Sequence, residues 1–112
     1  MVDTHRIIIA SDAGICIRSF SDISDVIGAC IDSEGLIFTQ NDLGQEFFDL
    51  RSGLAGEVFQ KFTNYNLRAA IVLNDFGAYG ERFSELAYEH RSHNLIRFVS
   101  SIDEAQSWLR AR

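Results

Sequence analysis

FFDLRSGLAGEVFQKFTNY, residues 47–65, decides the fold. Two aromatics open it, and a turn through Asp49 and Ser52-Gly53 follows. Leu54, Val58, Phe62 and Tyr65 then recur at helical spacing, with Ala55 and Phe59 beside them. Glu57, Gln60, Lys61 and Asn64 take the opposite side. This is the pattern of an amphipathic helix that lays one face on a core and leaves the other in water.

The flanks place that helix. Residues 67–73, LRAAIVL, are mostly apolar and read as a strand buried on both faces. Residues 36–39, LIFT, read as a strand, and a polar loop over 40–45 with Gly44 leads on from it. A strand, a helix and a strand in this order predict a parallel crossover. Further on, residues 81–90 read as a helix with Phe83, Leu86 and Ala87 inward, and residues 95–99, LIRFV, as a strand. Ser101-Ile102-Asp103-Glu104 is a capping-box sequence opening a last helix with Ala105, Trp108 and Leu109 on its apolar face.

Toward the start of the chain, residues 6–10, RIIIA, read as a first strand. Ser11-Asp12-Ala13-Gly14 reads as a turn with Gly14 at positive φ, and residues 15–18, ICIR, as a second strand paired to the first in a hairpin. Ser21 is the expected cap of a helix carrying Ile23, Val26, Ile27 and Cys30, with Gly35 as its C-terminal stop. The whole predicts one α/β domain over residues 1–112. Its single mixed, mostly parallel sheet has five strands, in the order β-β-α-β-α-β-α-β-α. The pair Gly53 and Gly56 is expected to bring the central helix close to that sheet.

Composition narrows the function classes. A chain of 112 residues, 46% apolar, suits one domain with a core of its own. Net charge is -6, and the nine arginines and single lysine are scattered, which argues against nucleic acid and against anionic membrane surfaces. No apolar run approaches the roughly 18 residues of a membrane helix. The start, MVDTHRIII, lacks a signal-peptide pattern, so a cytoplasmic protein is expected. Cys16 and Cys30 sit among apolar residues and read as buried thiols.

Most motifs dissolve on inspection. Asp75-Phe76-Gly77 spells a kinase magnesium triplet, but no glycine-rich phosphate loop or HRD loop accompanies it. His90 and His93 have helical spacing but no cysteine nearby; they read as solvated histidines at a helix C-terminus, where positive charge is favoured. No metal, no cofactor and no catalytic residue is expected. Ser52 lacks the GxSxG elbow of a hydrolase. It does lie at a helix start, where free amides and the helix dipole favour an anion, so it reads either as a cap or as a phosphorylation site.

The segments FFDLRSGLAGEVFQKFTNY, LRAAIVLN and HNLIRFVSSIDEAQSWL resemble, over nearly the whole chain, a family of small bacterial proteins, family 4180 among the domains of unknown function. That resemblance implies no activity. A more distant one is to STAS domains, SpoIIAA-like proteins included, whose second helix begins with an Asp-Ser-Ser-Gly-Leu turn. In that group the second serine is a phosphorylation switch that controls partner binding. Ser52-Gly53-Leu54 matches the end of that turn. Arg51 stands where that group has its first serine, and Asp49 lies one position early.

Three functions are expected from these readings. The first is a non-enzymatic interaction module that binds a protein partner, with Ser52, Asp49, Arg51 and Gly53 as the phosphorylation or partner site. The second is a small-molecule binder or enzyme at the carboxyl edge of the sheet. Asp42, Phe47, Phe48, Asp75 and Tyr79 would line that pocket or partner edge. The third is a homodimer, since Phe38, Phe47, Phe48, Phe76, Tyr79, Tyr88 and Trp108 are more rings than a small core needs.

Overall fold

A computed structural model describes residues 7–75, 77–91 and 93–111. Four strands form one sheet in the order β1-β2-β3-β4, every neighbour parallel: β1 (Ile7–Ile9), β2 (Gly35–Thr39), β3 (Ala69–Val72) and β4 (Ile96–Val99). The helices are α1 (Ala10–Ala13), α2 (Phe20–Cys30), α3 (Gln45–Phe48), α4 (Leu54–Asn64), α5 (Glu81–Glu89) and α6 (Ile102–Arg110).

The α/β class and the parallel sheet match the sequence pattern, and the strand count does not. Five strands were expected, and four are present among the described residues. The expected second strand, residues 15–18, makes only an isolated parallel bridge, Ile17 to Leu43. The physical reason lies in the turn before it. Residues 10–13 close a short helix instead of a hairpin turn, with Gly14 at φ 70° and Ile15 N–H donating to the Ala10 carbonyl at 2.9 Å. The chain then leaves β1 and runs beside the loop after β2, where Ile17 N–H donates to the Asp42 carbonyl at 2.9 Å. The alternation in ICIR was real, since Ile17 is fully buried, but it reported a buried side and not a partner strand.

Strand order equal to chain order has a consequence for layering. Crossovers of one hand that always step the same way put their helices on one face. Accordingly α2, α4 and α5 share a core with Leu36, Phe38, Ala69, Ile71, Ile96 and Phe98. The alternate residues Ile37, Ala70 and Val99 point to the other face, where Ala105 and Leu109 of α6 cover them. The result is three layers, helices, sheet and one helix.

Helix α4 buries Leu54, Ala55, Val58 and Phe62, as its periodicity predicts. Each large side chain in that set contributes about 1.5–3 kcal/mol on burial. Tyr65 does not join them; it follows the last turn and is half-exposed. Gly56 is also exposed, with nothing within 4 Å of a built Cβ, so it does not serve close packing. Helix α2 starts two residues earlier than expected. Ser19, not Ser21, precedes it, and the Asp22 carboxylate accepts from the Ser19 and Arg18 amides at 3.2 and 2.9 Å. Gly35 is not a helix stop. It is the first residue of β2 and lies under Leu109.

Three of the seven surplus rings fill the core. Phe38, Phe47 and Phe48 are buried, Tyr79 and Trp108 are half-buried, and Tyr88 is exposed; Phe76 lies outside the described residues. The guanidinium groups of Arg68 and Arg97 both lie over the Trp108 ring, 4.7 and 4.8 Å from its centre. Arg68 also donates to the Leu109 and Trp108 carbonyls, which closes the end of α6.

Candidate functional site

In a parallel sheet every loop that follows a strand lies at the carboxyl end. Residues 40–53 follow β2 and residues 73–80 follow β3, so the two loops meet there. Between them lies an open groove of about 580 Å³. Gln45, Phe48, Asp49, Leu50 and Arg51 line one side, and Tyr79, Gly80, Glu81, Arg82 and Phe83 the other.

Its floor is aromatic. Tyr79 stacks on Phe48 with centroids 3.9 Å apart and planes 10° from parallel. Phe83 meets both rings, at 5.7 and 5.2 Å. Burial pushes the Tyr79 phenol above its ordinary 10.0. The rim is charged. Arg51 Nε lies 3.2 Å from Asp49 Oδ1, and the Arg51 amide donates to the same oxygen at 3.1 Å. The side-chain hydrogen bond from Arg51, then the backbone one, hold the Asp49 carboxyl below its usual 3.8. With Arg51 89% exposed this pair adds little stability, and its head group is free to exchange partners. Glu81 and Arg82 complete the rim.

Of the residues expected at a site, Phe48, Asp49, Arg51 and Tyr79 converge on this groove. Ser52 and Gly53 come next along the chain without lining it. Ser52 Oγ donates to the Glu46 carbonyl at 2.6 Å and accepts from the Leu54 amide at 3.2 Å, so it ties α3 to the start of α4. Gly53 takes φ 82°, a conformation that side-chain-bearing residues rarely adopt, and it turns the chain from that tie into α4.

Phe47 contributes no surface. It is fully buried behind Phe48, against Phe59 and Phe83. Asp75 accepts from the Gly77 amide at 2.9 Å in a local turn.

Asp42 is also engaged locally. It is the one buried acid among the described residues, and its carboxylate accepts from the Thr39 amide and hydroxyl at 2.8 and 3.0 Å. Asp42→Ala is expected to destabilise the protein by about 1–3 kcal/mol, because it leaves a part-buried amide without an acceptor. Asp42→Asn keeps an acceptor and should cost less. Urea unfolding of the two variants checks the difference.

Gln45, Leu50, Glu81 and Arg82 were not singled out from the sequence. Glu81 and Arg82 looked like the solvated first turn of a helix. Among the described residues, no three His, Cys, Asp or Glu side chains are grouped to hold a metal ion. No described helix is long and apolar enough to cross a membrane.

The family model described as Domain of unknown function (DUF4180) matches residues 2–109. The chain belongs to that family. This agrees with the resemblance carried by FFDLRSGLAGEVFQKFTNY, and most of the groove lies in that segment and in the first turn of α5. No curated protein and no solved structure matches the chain.

Proposed function

We propose that this protein is a non-enzymatic interaction module and that the groove between α3 and α5 is its working surface. The observation that carries the reading is the pairing of an aromatic floor, Phe48 and Tyr79, with exposed arginines at the rim, Arg51 and Arg82. Aromatic anchors and arginines are the residue types that dominate protein interfaces. An open groove with an apolar floor suits an apolar side chain presented by a partner, with a carboxylate beside it to meet the arginines.

The turn that carries Ser52 also carries Asp49 and Arg51. A phosphoryl group on Ser52 would remove its donated bond to Glu46 and add about -1.5 to -2 charges beside the rim. Partner release on phosphorylation is the regulatory form of the same proposal.

Capture from extracts of the native cells tests it. Arg51→Glu reverses an exposed charge and leaves the core untouched, so the variant should fold as the wild type does. It is expected to lose at least about tenfold of the captured partner, the scale of one lost charged contact. Equal capture by wild type and variant would contradict the proposal.

A second reading draws on the groove's volume and its place at the carboxyl edge, both typical of small-ligand sites. In that case the captured species would be a small molecule, recovered by denaturing the protein and analysing the supernatant.

A further inference from the structure

β4 ends the sheet, so one of its edges has no strand beside it among the described residues. Yet Ile96 and Phe98 are buried. In a parallel pair, successive residues turn their backbone groups toward the neighbour and away from it in alternation. The Ala69 amide donates to the Leu95 carbonyl at 2.8 Å, and the Leu73 amide to the Val99 carbonyl at 2.9 Å. The Leu95 carbonyl and the backbone groups of Arg97 and Val99 therefore face β3, while the backbone groups of Ile96 and Phe98 face outward; the Leu95 amide, just before the strand, is left for another acceptor.

Histidines take both outward groups of Ile96. Its amide donates to His93 Nδ1 at 3.1 Å, and its carbonyl lies 3.1 Å from His90 Nδ1. The Leu95 amide donates to the same nitrogen of His93, also at 3.1 Å. The two rings stack with centroids 4.7 Å apart, and His90 rests on Phe59 and Phe98. The pair stands where a further strand would lie.

The partners fix the proton positions. A carbonyl only accepts, so His90 Nδ1 carries a proton. Amides only donate, so His93 Nδ1 carries none and its proton is on Nε2. A second proton on His90 goes to Nε2 and leaves its bond intact. A second proton on His93 must go to Nδ1, into two N–H groups that point at it.

We propose that His93 is a proton-operated latch on the outer edge of β4: neutral, it holds the Leu95 and Ile96 amides; protonated, it releases them and the edge opens. The ionisable groups facing it are His90, from the end of α5, and Arg97, on β4 itself, whose Nε donates to the His93 carbonyl at 2.7 Å. Arg91, in the turn between, is drawn aside onto the Tyr88 ring at 3.8 Å. No carboxylate pairs with His93 among the described residues. Burial first, then the charges of His90 and Arg97, push its imidazole below the ordinary 6.5. The folded state therefore takes up this proton less readily than the unfolded chain. The latch is fully closed above pH 6.5 and lost as pH falls through the lowered value.

Two measurements on the intact protein test the latch. Imidazole nitrogen shifts at neutral pH should show His93 with an unprotonated Nδ1. Amide-exchange protection factors of Leu95 and Ile96 should fall by up to about tenfold per pH unit below the His93 titration, while that of Ile71 holds. In His93→Asn the side-chain oxygen accepts at any pH, so protection there should become independent of pH. A protonated Nδ1 on His93 in the neutral protein would overturn the proposal. So would pH-independent protection in the wild type, or an unchanged pH dependence in His93→Asn.

Discussion

Replacing Phe83 by alanine is expected to lower the unfolding free energy by about 3–5 kcal/mol, the usual range for a large aromatic removed from a core. The ring is 1% exposed and stands at the junction of three elements. Phe47 and Phe48 of α3 reach it at 6.4 and 5.2 Å, Tyr79 at 5.7 Å, and Phe98 of β4 at 5.4 Å. None of these rings can move into the space without leaving another contact. The loss is a large part of the 5–15 kcal/mol that holds a domain of this size. Phe83→Leu refills part of the volume and should cost clearly less. Urea unfolding checks the pair, with a lower midpoint and an unchanged slope as the expected form. A cost under about 1 kcal/mol for alanine would mean that the ring is not the hub of this core.

Adding one methyl group at Gly35 is expected to destabilise the protein by about 1–3 kcal/mol, the usual range for overpacking. A Cβ there would lie 2.5 Å from Leu109 Cδ2 and 3.1 Å from its Cδ1. Leu109 is fully buried in the cluster of Ile37, Ala70, Val99 and Ala105, so it has little room to turn away. The double variant Gly35→Ala/Leu109→Ala separates this cause from a general intolerance. The new methyl occupies part of the space that Leu109 vacates. The double variant should therefore be more stable than the two single losses predict. Strict additivity would show that α6 does not press on β2 at this point.

Gly35 also shows where sequence reading reaches its limit. Its place after an amphipathic run suggested a helix stop, because local rules know only the chain neighbours of a residue. What selects glycine is Leu109, 74 positions later in the chain. The helices were legible because their apolar spacing is a local property. β2, β3 and β4 were legible as short apolar runs between polar loops. Residues 15–18 misled because alternation says that one side is buried and nothing about what buries it. His90 and His93 misled for a related reason. The helical pattern placed His90 correctly at the end of α5, but His93 lies past that end, and the return of β4 beside it is a tertiary fact.

The groove was half legible. Phe48, Asp49, Arg51 and Tyr79 stood out in two loops that a parallel sheet brings to one end. Asp42 and Asp75 stood out equally, yet each is spent on its own turn. An acidic residue that caps a turn and one that faces a ligand look alike in sequence.

The most direct test of the working surface is an amide chemical-shift map of the protein while the captured partner is added. The account predicts that the largest changes fall on residues 45–51 and 79–83, and that Arg51→Glu abolishes them. Changes centred instead on α6 around Trp108, with residues 45–51 and 79–83 unmoved, would contradict it.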